Sequence, residues 1–155
     1  MHFRISGLPA TDFQHLYGLS DDALRAQGVQ RHVADASAGL PDRIELRDAA
    51  PGECVLLLNY THQPAGTPYR ASHAIFVLEG ARTAYDAVDA VPPALRRRVL
   101  SLRAFDSDHH MVDADLVDGA AAEGLIERLF ADPAVAYIQA HYARRGCYAA
   151  RIDRA

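Results

Sequence analysis

Apolar positions recur along this chain in two periods, and the places where one gives way to the other mark its elements. Phe3–Gly7 alternates apolar and polar and predicts a first strand, stopped by Gly7 and Pro9. Thr11-Asp12-Phe13-Gln14 has the spacing of a capping box and predicts a helix burying Phe13, Leu16 and Tyr17. Ser20 is placed to cap a second helix, with Leu19 and Leu24 as its hydrophobic staple and Gly28 as its left-handed stop. From Val29 the period shortens towards two. Val29–Ala34 and Arg43–Arg47 read as strands separated by Gly39 and Pro41, and Cys54–Tyr60 is apolar enough for a central strand. Thr61–Ser72, with Pro64, Gly66 and Pro68, reads as the longest irregular stretch, followed by a strand over Ala74–Leu78 and a weaker segment over Ala81–Val91.

After Pro92-Pro93 the run Arg96-Arg97-Arg98 reads as a solvated entry to a strand over Val99–Phe105. Asp106–His110 is then a turn, Met111–Val117 the returning strand, and Asp118 the cap of a helix over about Ala120–Phe130 that Pro133 terminates. Val135–Tyr142 and Cys147–Asp153 predict a closing hairpin around Arg144-Arg145-Gly146. Hairpins outnumber any regular βα alternation. The expected fold is therefore α+β, a mostly antiparallel twisted sheet with a few short helices packed on it. Residues 1–155 are expected to form a single domain, since one core serves a chain of this length and no dividing linker is visible.

Composition narrows the function classes. Half of the residues are hydrophobic and 23% are charged, as in globular proteins. No apolar run approaches the ~20 residues of a membrane span, and the first residues carry no basic leader, so the expected setting is cytoplasmic with Cys54 and Cys147 reduced. A net charge of −4 gives no overall attraction to nucleic acid or to an anionic membrane. All 16 basic residues are arginine, so a phosphate loop that requires lysine is excluded. No nucleophile elbow, no His-Glu-x-x-His and no Cys-x-x-Cys occurs either.

Candidate chemistry lies in two segments. His62, Tyr69, Arg70 and Ser72 put an acid/base group, a phenol, a fixed cation and a hydroxyl between two strands, a set suited to a small anionic molecule. His141, Arg144, Arg145, Cys147 and Tyr148 surround the last turn. A four-residue loop over Ala143–Gly146 sets His141 opposite Tyr148, whereas an odd loop sets it beside Cys147 or Ala149, where a His–Cys couple would activate the thiol. Arg103 interrupts an apolar strand and needs either a carboxylate (Asp106, Asp153 or Glu79) or a ligand. The candidate acid/base residues are thus His62 and His141; the candidate ligand contacts are Tyr69, Arg70, Ser72, Arg103, Arg145 and Tyr148. No metal or cofactor is expected: the Asp- and His-rich turn at Asp106 lacks the glycine and glutamate of a calcium loop, Met111 and Val117 standing in their places.

The segments Phe3–Leu8, Asn59–His62, Tyr69–Ser72, Ala74–Val77, Leu100–Asp106, Asp132–Ile138 and His141–Arg154 together resemble DUF1203, a bacterial family of unknown function. The resemblance implies a small bacterial protein and brings no activity, substrate or catalytic residue with it. Two readings follow. One is an enzyme or binder of small anions, with its pocket between the 61–72 loop and the final hairpin. The other is a non-enzymatic interaction protein, such as a homodimer joined through a sheet edge.

Overall fold

The computed structural model describes residues 1–37 and 39–155. Strand outweighs helix, 39% to 18%, and every pairing between the strands named below is antiparallel, which makes the fold α+β as expected. The strands are β1 (Phe3–Ser6), β2 (Gln30–Val33), β3 (Cys54–Gln63), β4 (Ala71–Leu78), β5 (Asp86–Val88), β6 (Val99–Phe105), β7 (Met111–Asp118), β8 (Tyr137–Tyr142) and β9 (Tyr148–Arg154). They form a six-stranded sheet in the order β5-β1-β9-β8-β6-β7 and a three-stranded sheet in the order β2-β3-β4. The helices are α1 (Asp21–Arg25), α2 (Pro93–Arg96) and α3 (Ala122–Phe130).

Alternation along β6 and β8 divides the larger sheet into two chemically distinct faces. Leu100, Leu102, Ala104, Ile138 and Ala140 turn to one side and are buried with Ile126, Leu129 and Phe130 of α3. Ser101 and Arg103 turn to the other side, where they sit opposite His141 and Gln139 in register. A second core lies under the three-stranded sheet, holding Leu8, Phe13, Leu24, Ile44, Val55, Leu56, Ile75 and Val77 together with Tyr148 of β9. Ser20 caps α1 through Ala23 N–H at 3.1 Å, and Asp118 accepts from Ala120 N–H at the turn that leads into α3, as their sequence context predicts.

Several elements differ from expectation. The segment after Thr11 is two short 3-10 turns, Ala10–Asp12 and Gln14–Leu16, because Gly18 at φ 72° ends it before an α-helix has room to propagate. Phe13 and Leu16 are nevertheless buried. Arg43–Arg47 is no strand. It threads between the two cores, giving Ile44 to one and Leu46, at φ 54°, to the other. Its backbone is tied to Leu8, Phe76 and Tyr85. The buried Asp42 carboxylate fixes its start by accepting from Glu45 and Leu78 N–H. The fit leaves no room for a Cβ at Gly7, which would stand 2.0 Å from Ile44 O. Arg96 closes α2 rather than entering a strand, its guanidinium paired with Glu123. Strands β3 and β4 run into the expected long loop from both sides, leaving residues 64–70 as the connection. No helix among the described residues is long and apolar enough to cross a membrane.

Candidate functional site

The end of β3 crosses the polar face of the larger sheet and meets the residues that face supplies. His62 Nδ1 lies 2.9 Å from Gln139 Oε1, and Gln139 Nε2 donates back to His62 O at 2.9 Å, so one amide closes the contact in both directions. His141 Nε2 lies 3.1 Å from the same Gln139 oxygen, and its Nδ1 lies 3.1 Å from Gly146 O. The imidazoles of His62 and His141 meet edge to face at 4.8 Å, and His62 stacks on Tyr148 at 5.7 Å. Burial, reinforced by the nearby Arg103 cation, holds the His141 pKa down at about 3, and burial lowers His62 as well. Both rings are therefore neutral at pH 7. A neutral His141 has one N–H for its two acceptors, so one of those contacts is made without a proton.

A cleft of about 540 Å³ opens at the β8–β9 turn, at the edge of the core that holds Tyr142 and Cys147. Leu40, Pro41 and Arg43 form one side, and Leu57, His73, Ala74 and Phe76 of the β3–β4 hairpin form the next. Arg97, Arg98, Val99 and Asp118 face them, and the β8–β9 turn closes the circuit with Tyr142, Arg144, Arg145 and Cys147. That turn is a four-residue loop, with Gly146 at φ 77° and Tyr142 N–H donating to Cys147 O at 2.9 Å. Five guanidiniums thus reach one cleft. Arg97 and Arg98 share Asp48, at 3.5 and 2.8 Å. Arg43, Arg144 and Arg145 have no carboxylate partner among the described residues. Arg43 and Arg98 both lie over the Tyr142 ring, at 4.9 and 5.1 Å. The Tyr142 hydroxyl is buried without a hydrogen-bond partner, and burial pushes its pKa up to about 12, so it remains a donor.

The family model for proteins of unknown function designated DUF1203 matches residues 39–154, three quarters of the chain. The chain belongs to the DUF1203 family. No curated protein and no solved structure was found to match it. Every residue lining the cleft falls inside the stretch matched by the DUF1203 model, whereas β1, α1 and β2 precede it.

Of the residues singled out in this DUF1203 chain, His62, His141 and Tyr148 meet as described, with Arg103 beside them. His141 stands opposite Tyr148, the first of the two registers considered, after a bulge at Ala149. Arg103 has no carboxylate: Asp153 pairs with Arg151, Glu79 with Arg31, and Asp106 caps its own turn. Its Nε donates to Ser101 Oγ at 3.3 Å, and burial lowers its pKa. Arg145 lines the cleft instead of joining the histidines. Tyr69, Arg70 and Ser72 do not line it. Tyr69 packs edge-on against Phe105 and His110, Arg70 donates to Pro64 O within its own loop, and Ser72 Oγ meets Thr61 Oγ1 at 2.8 Å. These three tie down a hairpin loop because β3 and β4 extend further than expected and leave the loop short. Arg43, His73, Arg97, Arg98, Gln139 and Tyr142 were not foreseen. The one signal for Arg43 was its place at the head of the alternating stretch Arg43-Ile44-Glu45-Leu46-Arg47. Among the described residues no group of three or more His, Cys, Asp or Glu side chains is arranged to hold a metal ion.

Proposed function

We propose that this protein binds a small anionic molecule with an apolar body in the cleft between the β3–β4 hairpin and the β8–β9 turn. One observation carries the reading. The cleft gathers five guanidiniums against the carboxylates of Asp48 and Asp118, on walls otherwise built from Leu40, Leu57, Phe76 and Val99. Buried or half-enclosed cations without counter-charges are costly, and a ligand carboxylate or phosphate supplies the missing charge through bidentate contacts. Arg144 and Arg145, exposed at the mouth, act as the clamps. A volume of about 540 Å³ suits a ligand of ordinary metabolite size. On this reading the neutral His62 and His141 tie β3 to β8 through Gln139, apart from the cleft, and do not transfer protons.

Thermal unfolding with isosteric pairs tests it. Benzoate should stabilise the protein in low-salt buffer and benzamide, its uncharged analogue, should not. At a hundredfold excess over Kd the stabilisation is about 2.7 kcal/mol, a rise of roughly 5–10 °C for a domain of this size. The Arg144→Ala/Arg145→Ala variant should lose the effect. Equal shifts with benzoate and benzamide, or none with any small acid, would refute the reading.

A further inference from the structure

Arg43 is 1% exposed, yet it has no carboxylate partner among the described residues. Its Nε donates to Tyr148 O at 2.8 Å, one Nη donates to Pro41 O, and Nη2 donates to Cys147 Sγ at 3.1 Å. The neighbouring Asp42 carboxylate is spent on the backbone N–H groups of Glu45 and Leu78. Of the three groups that accept from Arg43 among the described residues, two are carbonyls and the third is the Cys147 sulfur. A buried cation held against a cysteine sulfur is the environment in which thiols act as nucleophiles.

A second, independent feature points to a ligand at the same place. Tyr142 lies directly across the hairpin from Cys147, is 5% exposed and lines the cleft, and its buried hydroxyl has no hydrogen-bond partner among the described residues. A buried donor left unpaired costs roughly 1–3 kcal/mol unless something enters to accept from it. The thiol, the cation that anchors it and the vacant donor therefore share one cleft with the clamps at its mouth.

We propose that Cys147 is a nucleophilic thiol serving this cleft, and that it reacts with small acids bearing an electrophilic carbon. The claim rests on the anion-binding reading above. In the reaction a sulfur lone pair forms the S–C bond, the displaced group leaves with the electron pair of the bond it breaks, and the thiol proton passes to solvent. Arg144 and Arg145 hold the acid's charge, and the Tyr142 hydroxyl donates to the acid or to the departing group.

Alkylation with a charged and an uncharged reagent tests it on the unmodified chain. Iodoacetate and iodoacetamide deliver the same carbon, lose the same iodide and differ in charge. Cys54, at the start of β3 and outside the cleft, is the internal reference. Mass spectrometry of the two cysteine-containing peptides should show an iodoacetate-to-iodoacetamide rate ratio at Cys147 at least about tenfold above that at Cys54, from focusing of the anion. The ratio should fall to the Cys54 value in Arg144→Ala/Arg145→Ala, whose substituted residues are exposed and leave the core intact. Equal ratios at the two cysteines would overturn the proposal. So would a Cys147 inert to both reagents in the folded protein; if benzoate still stabilises that protein, the thiol claim alone has failed and the anion site stands.

Discussion

Where β3 crosses β8, polar groups close upon one another: Gln139 serves His62 in both directions and reaches His141 as well, and both rings stay neutral. At the β8–β9 turn, one residue beyond His141, the opposite holds. Tyr142 has a hydroxyl with no acceptor, and the guanidiniums of Arg43, Arg144 and Arg145 have no counter-charge among the described residues. Several arginines elsewhere are matched, Arg4 with Asp86, Arg31 with Glu79, Arg47 with Glu53 and Arg128 with Asp113 and Asp115, whereas Arg103 beside the histidines reaches Ser101 and Arg70 reaches Pro64 O. What distinguishes the cleft is that three such guanidiniums, with two more that share Asp48, gather around one opening. A polar region that satisfies itself supports the fold, and one left open is arranged for something else to complete.

The sharpest way to break this contrast is at Arg43, which belongs to both regions. Arg43→Ala leaves the carbonyls of Pro41 and Tyr148 buried without a donor and opens a void, and should cost about 4 kcal/mol in urea unfolding. A loss under 1 kcal/mol would mean that the guanidinium has no structural role. Gln139→Leu orphans His62 O and removes the acceptor shared by His62 and His141, for a loss of about 3 kcal/mol. Benzoate affinity should survive that change, since the two regions act separately.

The pH dependence comes next in size. His141 has a folded-state pKa of about 3, below the ~6.5 of an unfolded histidine, so the unfolded chain binds the extra proton first. Stability should therefore fall as pH drops below about 6.5, by about 2 kcal/mol between pH 7 and pH 5. His62, lowered in the same sense, adds to the slope. Chemical denaturation across this range should show the decline in the native chain and little of it in His141→Gln. A flat profile in the native chain would place the two rings in contact with water. The smallest effect belongs to Arg144→Ala/Arg145→Ala, which should change unfolding free energy by no more than about 0.5 kcal/mol while abolishing stabilisation by acids.

Much of this architecture was legible in the order of residues. The apolar alternation of Leu100, Leu102 and Ala104 and the stripe of Leu125, Ile126, Leu129 and Phe130 located one core, and Ser20 and Asp118 announced the caps they form. Arg43–Arg47 was misleading because its alternating apolar residues feed two different cores through a positive-φ residue, a path no local period encodes. His62 does meet His141, but through the packing of β3 from one sheet across β8 of the other and not through strand pairing, so neither that contact's route nor the cleft could be read from strand periods. The cleft's arginines come from three separate stretches, residues 43, 97–98 and 144–145, which meet β4 only once the sheets are packed. Arg70 drew attention because it sits in a polar loop, yet that loop binds it to its own Pro64.

Calorimetric titration of phenyl phosphate into the native chain, Arg144→Ala/Arg145→Ala and Arg70→Ala, at low ionic strength, addresses the cleft without reference to any reaction. Saturable one-to-one binding, weakened at least about tenfold in the double variant and by added salt but unchanged in Arg70→Ala, is the predicted result. Absent binding to the native chain, or an affinity that the loss of both turn arginines leaves intact, would contradict it.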